Sequence, residues 1–214
     1  MKPIMVITGA SKGLGKGCAD YFKNNYEIVT VHRSPGATFQ GDLRDAAFRN
    51  KVVEQVTPNV FINNAGGDCE KDYVAMLELN GVAATDLLLQ FYNKMPAGHI
   101  FNIGSVAIHH RTWPHMDQKW IPYIAAKNMI RAASIHLSET RSKKVKVTLL
   151  EPEFISNTTA VPHSLLQSAY DEFKLEQFTP MRAEDVARII ENELDQPAWL
   201  VRSVVELTLM SRRN

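Results

Sequence analysis

A chain of 214 residues with 24 lysines and arginines against 23 aspartates and glutamates has a formal charge of +1, which gives nucleic acid or an anionic membrane surface little hold as a main partner. Its 45% hydrophobic and 22% charged residues are those of an ordinary globular protein long enough for one well-buried core, so a single domain over 1–214 is expected. The cysteines, Cys18 and Cys69, lie far apart and outside any zinc-ligand spacing, which argues against a disulfide framework or structural zinc and suits a reducing cytoplasm.

The first apolar run, Ile4 to Ile7, is too short for a signal segment or a membrane span. Its unbroken hydrophobicity predicts a strand buried on both faces of a parallel sheet. It leads into Thr8-Gly9-Ala10-Ser11-Lys12-Gly13-Leu14-Gly15 and then into a helical stretch up to about Phe22. Glycines between a strand and a helix let the backbone turn tightly and approach a pyrophosphate, whose charge is met by the helix N-terminus. The spacing Gly-x-x-x-Gly-x-Gly is neither the common dinucleotide fingerprint nor a Walker loop. It resembles the Thr-Gly-x-x-x-Gly-x-Gly turn of the short-chain dehydrogenase/reductase family. That resemblance implies cofactor contacts from Gly9, Ser11, Lys12, Gly13, Leu14 and Gly15.

The second strand, Glu27 to Val31, ends at His32-Arg33-Ser34. A site for NAD(H) normally has an acid here for the ribose 2′-hydroxyl, whereas an arginine accommodates a 2′-phosphate. This chain offers no acid but Arg33, with Lys12 as a second cation, so NADP(H) is expected over NAD(H). Only a few residues around Pro35-Gly36 then precede the strand-like Ala37 to Gly41, and a parallel crossover normally needs a dozen or more. The helix usual in the family is therefore expected to be missing, with a third strand that is short, irregular or displaced. Asp42-Leu43 match the family pair beside the adenine, and a helix is predicted from about Asp45 to Val56 with Phe48, Val52, Val53 and Val56 on one face.

A fourth strand, Val60 to Ile62, runs into Asn63-Asn64-Ala65-Gly66, which resembles the family's Asn-Asn-Ala-Gly motif and implies that Asn64, Ala65 and Gly66 lie beside the cofactor ribose. Asparagine side chains there can bond neighbouring main-chain groups. Asp72 to Met95 reads as a helix, with Asn80 beside Gly81 in its apolar middle. Asparagine is an indifferent helix former. Either its amide is satisfied inside the core or, as the family implies, the helix kinks there and Asn80 helps to hold a water near Lys127.

The fifth strand, His99 to Ile103, delivers Gly104-Ser105 at its carboxyl end, where open α/β sheets bind ligands. Asn-Ile-Gly-Ser resembles the family's catalytic serine segment. The stretch from Ser105 to Tyr123 is longer than the family suggests, and its excess, with His109, His110, Trp113, His115 and Trp120, is expected to form a loop beside the site. That loop has neither a cysteine partner nor a His-x-x-x-His helix pair, so no metal is expected. Trp113 with His109 or His110 would shape a pocket wall or pack the loop.

Pro122 suits the start of a helix that runs from near Tyr123 towards Arg141. Tyr123 and Lys127, four apart, share a helix face. A phenol has a pKa near 10, and an adjacent ammonium favours its ionised form, so the pair is a candidate for acid–base chemistry. A sixth strand, Val145 to Leu150, ends in Glu151-Pro152-Glu153-Phe154-Ile155. The family places a Pro-Gly pair and then a threonine here, against the nicotinamide carboxamide. Pro152 and Ile155 fit that pattern, whereas Glu153 replaces the glycine and Asn157 the threonine. A substrate loop and short helix are expected over 156–178, an amphipathic helix from Arg182 to Leu194, and a last strand within Trp199 to Leu209.

These elements predict an α/β fold: one Rossmann-type, doubly wound, mainly parallel sheet of six or seven strands with helices on both faces. The resemblance implies an NADP(H)-dependent oxidoreductase of the carbonyl reductase type, interconverting a small-molecule carbonyl and a secondary alcohol. Tyr123 would be the general acid–base, Ser105 would bond the substrate oxygen, Lys127 would tune the phenol and hold the ribose, and Asn80 would support a proton relay. It also implies a homodimer or homotetramer, which would use the last strand, Arg212-Arg213 or the helix faces near Asn80 and Tyr123; a cytoplasmic location is expected from the cysteine usage. Two alternatives use the same fold: a dinucleotide-binding redox sensor or scaffold without turnover, and a pterin-type reductase; the missing helix after the second strand resembles both the dihydropteridine reductase and some hydroxysteroid dehydrogenase branches of the family.

Overall fold

A computed structural model describes residues 1–67, 72–109, 120–140, 144–153, 155, 181–197, 200 and 203–207. Strands Ile4–Thr8 (β1), Glu27–His32 (β2), Phe39–Gln40 (β3), Val60–Asn63 (β4), Gly98–Ile103 (β5), Val145–Pro152 (β6) and Val204–Leu207 (β7) form one sheet in the order β3-β2-β1-β4-β5-β6-β7. Every pairing is parallel. The expected six or seven mainly parallel strands are thus seven and all parallel.

Alternate residues of the central strands enter two separate cores, which is why these strands read as continuous apolar runs. Val6, Phe61, Ile100 and Val147 pack on one face with Val52 and Val53 of α2 (Ala46–Gln55), Leu87, Leu88 and Phe91 of α4 (Ala84–Lys94) and Ile130 of α5 (Ile121–Glu139). Met5, Ile7, Ile62 and Phe101 face the other way, onto Leu14, Cys18 and Phe22 of α1 (Gly13–Phe22) and Val186 and Ile190 of α6 (Ala183–Leu194). The sheet is therefore doubly wound. Strand order reverses between β1 and β4, which opens a crevice at their carboxyl ends.

Local chemistry sets the helix starts. The Asp45 carboxylate accepts the Ala47 N–H at the head of α2, and Asp72 caps α3 (Tyr73–Leu77) through the Ala75 N–H at 2.9 Å. A π turn over Glu78–Ala83 joins α3 to α4, so that Tyr73–Lys94 is one helix of 22 residues. By length and composition that helix could cross a membrane, but half of its most apolar stretch is buried inside the protein. It is a core helix of this sheet.

Between β2 and β3 there is no helix, and β3 is short at 2 residues, both as expected; it lies in register beside β2, pairing Phe39 with Val31 and Gln40 with His32. Gly36, at a φ of 87°, turns the connection, and Thr38 and Thr30 exchange backbone-to-hydroxyl hydrogen bonds of 3.0 and 3.2 Å that clamp its ends. The last strand falls within Trp199 to Leu209 as expected, and Val204–Leu207 pair with β6.

His99 shows how an ordinary core position can carry a pH signature. Its ring is buried in β5, stacked on Phe101 at 4.0 Å between centroids, with Nε2 2.9 Å from the Thr148 hydroxyl. Burial holds its pKa down to about 3. A depressed histidine pKa means that the unfolded chain takes up a proton as pH falls below about 6.5 while the folded chain does not. Stability is therefore expected to drop by up to about 1.4 kcal/mol per pH unit over that window from this group alone. Urea denaturation at several pH values should show His99→Gln with a shallower acid-side loss than the natural protein.

Candidate active site

The turn after β1 is shaped by close backbone contact. Gly9 and Gly13 hold φ values of 69° and 56°, the left-handed region that side chains disfavour. The Thr8 hydroxyl accepts the N–H groups of Asn64 and Ala65, each at 2.9 Å, and the Asn64 amide donates to the Thr8 carbonyl at 2.9 Å. These bonds lace the ends of β1 and β4 together. Asn63 turns the opposite way, donating to the Ala84 carbonyl and to Asn102 within the core, where Asn102 in turn donates to the Ser134 hydroxyl. Gly15 was expected to touch the cofactor. It is not among the cavity-lining residues and packs beneath the turn, where a Cβ would stand 2.5 Å from the Gly9 carbonyl oxygen.

A cavity of about 380 Å³ opens over the carboxyl ends of the strands, within the range of small-ligand and cofactor sites. At one end are Gly9, Ser11, Lys12, Gly13 and Leu14, followed by His32, Arg33 and Ser34 after β2 and by Asp42 and Leu43. Lys12 and Arg33 are both exposed. Arg44 forks onto Asp42, with contacts of 2.7 to 3.2 Å, and together with a weaker contribution from Arg33 holds that carboxyl below its usual range. The middle is walled by Asn64, Ala65 and Gly66 and the far end by Asn80, Ser105, Tyr123, Lys127, Pro152 and Ile155. Apart from Gly15, every residue that the sequence singled out for catalysis or cofactor contact lines this one space.

At the far end Lys127 is buried and donates to the Ile103 carbonyl at 2.8 Å. Burial lowers its pKa to about 8. Its Nζ lies 5.7 Å from the centre of the Tyr123 ring, one turn back along α5. Trp120 meets that ring edge-on at 5.8 Å, and Pro122 occupies the first turn of α5 as its fixed φ allows. The Ser105 hydroxyl accepts the Ala107 N–H at 3.2 Å and heads a single 3₁₀ turn, Val106–His109. Asn80 sits fully buried in the π turn, a feature often found where a helix serves a site. Its amide donates to the Gly67 and Met76 carbonyls, and its oxygen accepts the Gly67 N–H. The amide is thus satisfied, and the side chain also anchors the cavity wall. A Cβ on Gly66 would lie 2.6 Å from that oxygen and 3.6 Å from Lys127 Nζ, so this glycine must stay bare for the two to approach.

Sequence reading passed over several wall residues: Leu79, Val106, Ala107 and Gly41, whose contributions come from backbone or apolar surface and leave no motif. Glu153, noted as a departure, also lines the cavity, and Ile155 bridges to Met181. Another cluster without a motif lies beside the site. Glu151 is wholly buried, with its carboxylate between Arg131 and His109, both at 3.2 Å, and Glu206 is 3.6 Å from His109. His109, Glu151 and Glu206 bring potential ligand atoms within 4.8 Å of one another, but Arg131 already supplies a cation to the buried carboxylate. His110, Trp113, His115, Phe154, Asn157, the expected substrate loop and helix over 156–178, Cys69, Arg141, Trp199 and Arg212-Arg213 fall outside the described residues.

The residues present fit a nicotinamide dinucleotide. No side chain caps α1 and no acid stands in its first turn, which leaves the positive end of its dipole facing the glycine turn. His32 Nδ1 is buried at the wall without a hydrogen-bond partner. When bound, such a group supplies or takes up hydride.

The family model for short chain dehydrogenases matches residues 3–167. An uncharacterized oxidoreductase of Mycobacterium bovis is 25% identical over 201 residues, covering 73% of this chain and 57% of the relative, so the chain spans little more than half the length of that curated relative. Among solved structures, a serine dehydrogenase complexed with NADP+ superposes with a TM-score of 0.77 at 21% identity, over 95% of this chain and 94% of the other. A 4-hydroxyisoleucine dehydrogenase complexed with NADH reaches 0.80 at 17% identity, over 98% of each. At such identities the superpositions speak to the fold, and the two dinucleotides are properties of those proteins.

Proposed function

The chain belongs to the short-chain dehydrogenase family, and from that membership we propose that it is an NADP(H)-preferring oxidoreductase interconverting a small-molecule carbonyl and its secondary alcohol. The observation that carries this reading is the meeting of Ser105, Tyr123, Lys127 and Asn80 at one end of a cavity whose other end holds the glycine turn and two cations. Tyr123 gives a proton to the carbonyl oxygen, or takes one from the alcohol, and Ser105 holds that oxygen by a hydrogen bond. Lys127 favours the phenolate through its charge and offers its remaining N–H groups to ribose hydroxyls. Asn80 fixes the Gly66–Gly67 wall beside Lys127 and supports passage of the proton outward. Lys12 and Arg33 receive the 2′-phosphate.

Incubation with NADPH and a panel of aldehydes, ketones, quinones and dihydropterins tests this reading. Consumption of NADPH with carbonyls supports it. Consumption with dihydropterins alone makes the protein a pterin-type reductase, and binding without consumption of any member makes it a dinucleotide sensor or scaffold.

The same reading includes a homodimer or homotetramer. Among the described residues, the exposed large apolar side chains other than Met1 are Tyr73, Val74, Val82 and Leu89 on the continuous helix and Ile121 and Met129 on α5. Two neighbouring helices with unpartnered apolar side chains support self-association through that face. Leu89→Lys combined with Met129→Lys should convert the assembly to monomers in sedimentation velocity, and an unchanged sedimentation coefficient would exclude this face.

A further inference from the structure

Resting on the oxidoreductase reading, we infer that Glu151 is a positioning residue that fixes Ser105 relative to Tyr123, acting through His109 and Arg131. A carboxylate taken wholly out of water is tolerated only with charged or hydrogen-bonding partners. Among the described residues Glu151 takes two partners, Arg131 and His109, from the segments that carry the chemistry. Arg131 donates from Nε to Oε1 at 3.2 Å, and it stands four residues beyond Lys127 and eight beyond Tyr123, on the same face of α5. The bond therefore fixes both the rotation and the height of the face that presents the phenol and the ammonium.

His109 bonds Oε2 at 3.2 Å through Nε2, and a proton on that nitrogen is what a carboxylate partner requires. It closes the 3₁₀ turn that begins immediately after Ser105, whose hydroxyl and carbonyl accept the Ala107 and Ile108 N–H groups. Gly104 lies against the Glu151 Cγ, where a Cβ would approach to 3.0 Å. One carboxylate thus ties the serine turn, the tyrosine helix and the strand that continues into Pro152 and Glu153 at the cavity wall. Among the described residues Glu206, opposite Glu151 in β7, pairs with His109 at 3.6 Å, and it is about half exposed.

The test compares the natural protein with His109→Ala, His109→Gln and Glu151→Gln, using the carbonyl consumed fastest and a separate NADPH binding titration. A displacement of about 1 Å in a catalytic group lowers rate by as much as about 10²-fold. His109→Ala and Glu151→Gln should therefore lose about 10- to 100-fold in kcat, with KM and NADPH affinity kept within about twofold. His109→Gln, whose amide N–H can stand where Nε2–H stands, should recover to within about threefold of the natural kcat. His109 is partly exposed, so its two variants carry the test even if Glu151→Gln fails to fold. Unchanged kcat in His109→Ala, or a loss that glutamine does not restore, overturns the inference. So does inhibition by a chelator that zinc reverses, which would make His109, Glu151 and Glu206 a metal site. Turnover by the natural protein separates these results from failure of the reading itself: if it consumes no carbonyl, both fall together.

Discussion

Tyr123→Phe is expected to abolish carbonyl reduction while leaving NADPH binding nearly intact. The substitution removes one oxygen and keeps the ring that meets Trp120 edge-on at 5.8 Å, so the start of α5 should hold its shape. What is lost is the proton donor at the reacting oxygen, a contribution typically worth about 10²–10⁴ in rate. Lys127 alone cannot replace it, because its Nζ is drawn to the Ile103 carbonyl at the base of the cavity. Steady-state turnover together with a fluorescence titration of NADPH separates the two effects. Retained turnover would remove Tyr123 from the mechanism, and a large loss of affinity would make it a binding residue instead.

The second large effect concerns the cofactor. Natural protein should bind NADPH more tightly than NADH, and Arg33→Ala should erase most of that difference by weakening NADPH alone. A charge-assisted hydrogen bond to a phosphate is worth about 1.5–3 kcal/mol, or roughly 10- to 100-fold in affinity. Both Arg33 and Lys12 are exposed side chains at the cavity edge, so truncating either leaves the core untouched. Lys12→Ala should have the same sign and a smaller size, since a lysine offers a point charge rather than a planar fork. Isothermal titration with both nucleotides reads this directly. Equal affinities in the natural protein would show that the two cations do not receive a 2′-phosphate.

Much of this molecule could be read from its sequence because the physics was local. Ile4 to Ile7 read as a doubly buried strand since alternate residues enter two different cores, and all of Met5, Val6 and Ile7 are fully buried. The glycine turn was readable because Gly9 and Gly13 must take positive φ where a side chain would be strained. Tyr123 and Lys127 were paired by helical spacing alone. The Glu151 cluster left no such trace, because His109, Arg131, Glu151 and Glu206 come from four separate elements that only the sheet order brings together. A glutamate between Leu150 and Pro152, at the apolar end of β6, was the one available signal. The register of β3 was equally hidden, since the reciprocal bonds between Thr30 and Thr38 replace the crossover helix that spacing rules presume. Asn63 could not be told from Asn64 by composition, yet one faces the core ladder with Asn102 and the other the glycine turn.

Direct transfer of hydrogen from nicotinamide to substrate is the central claim. It can be followed with NADPH carrying deuterium at both C4 positions and the carbonyl that is consumed fastest. The product alcohol should hold one deuterium on its carbinol carbon, with the oxygen protonated from solvent, and Tyr123→Phe should form almost none of it. An alcohol without deuterium, or bound NADPH that yields no alcohol from any carbonyl, would contradict the assignment of Ser105, Tyr123 and Lys127 as a reductase site.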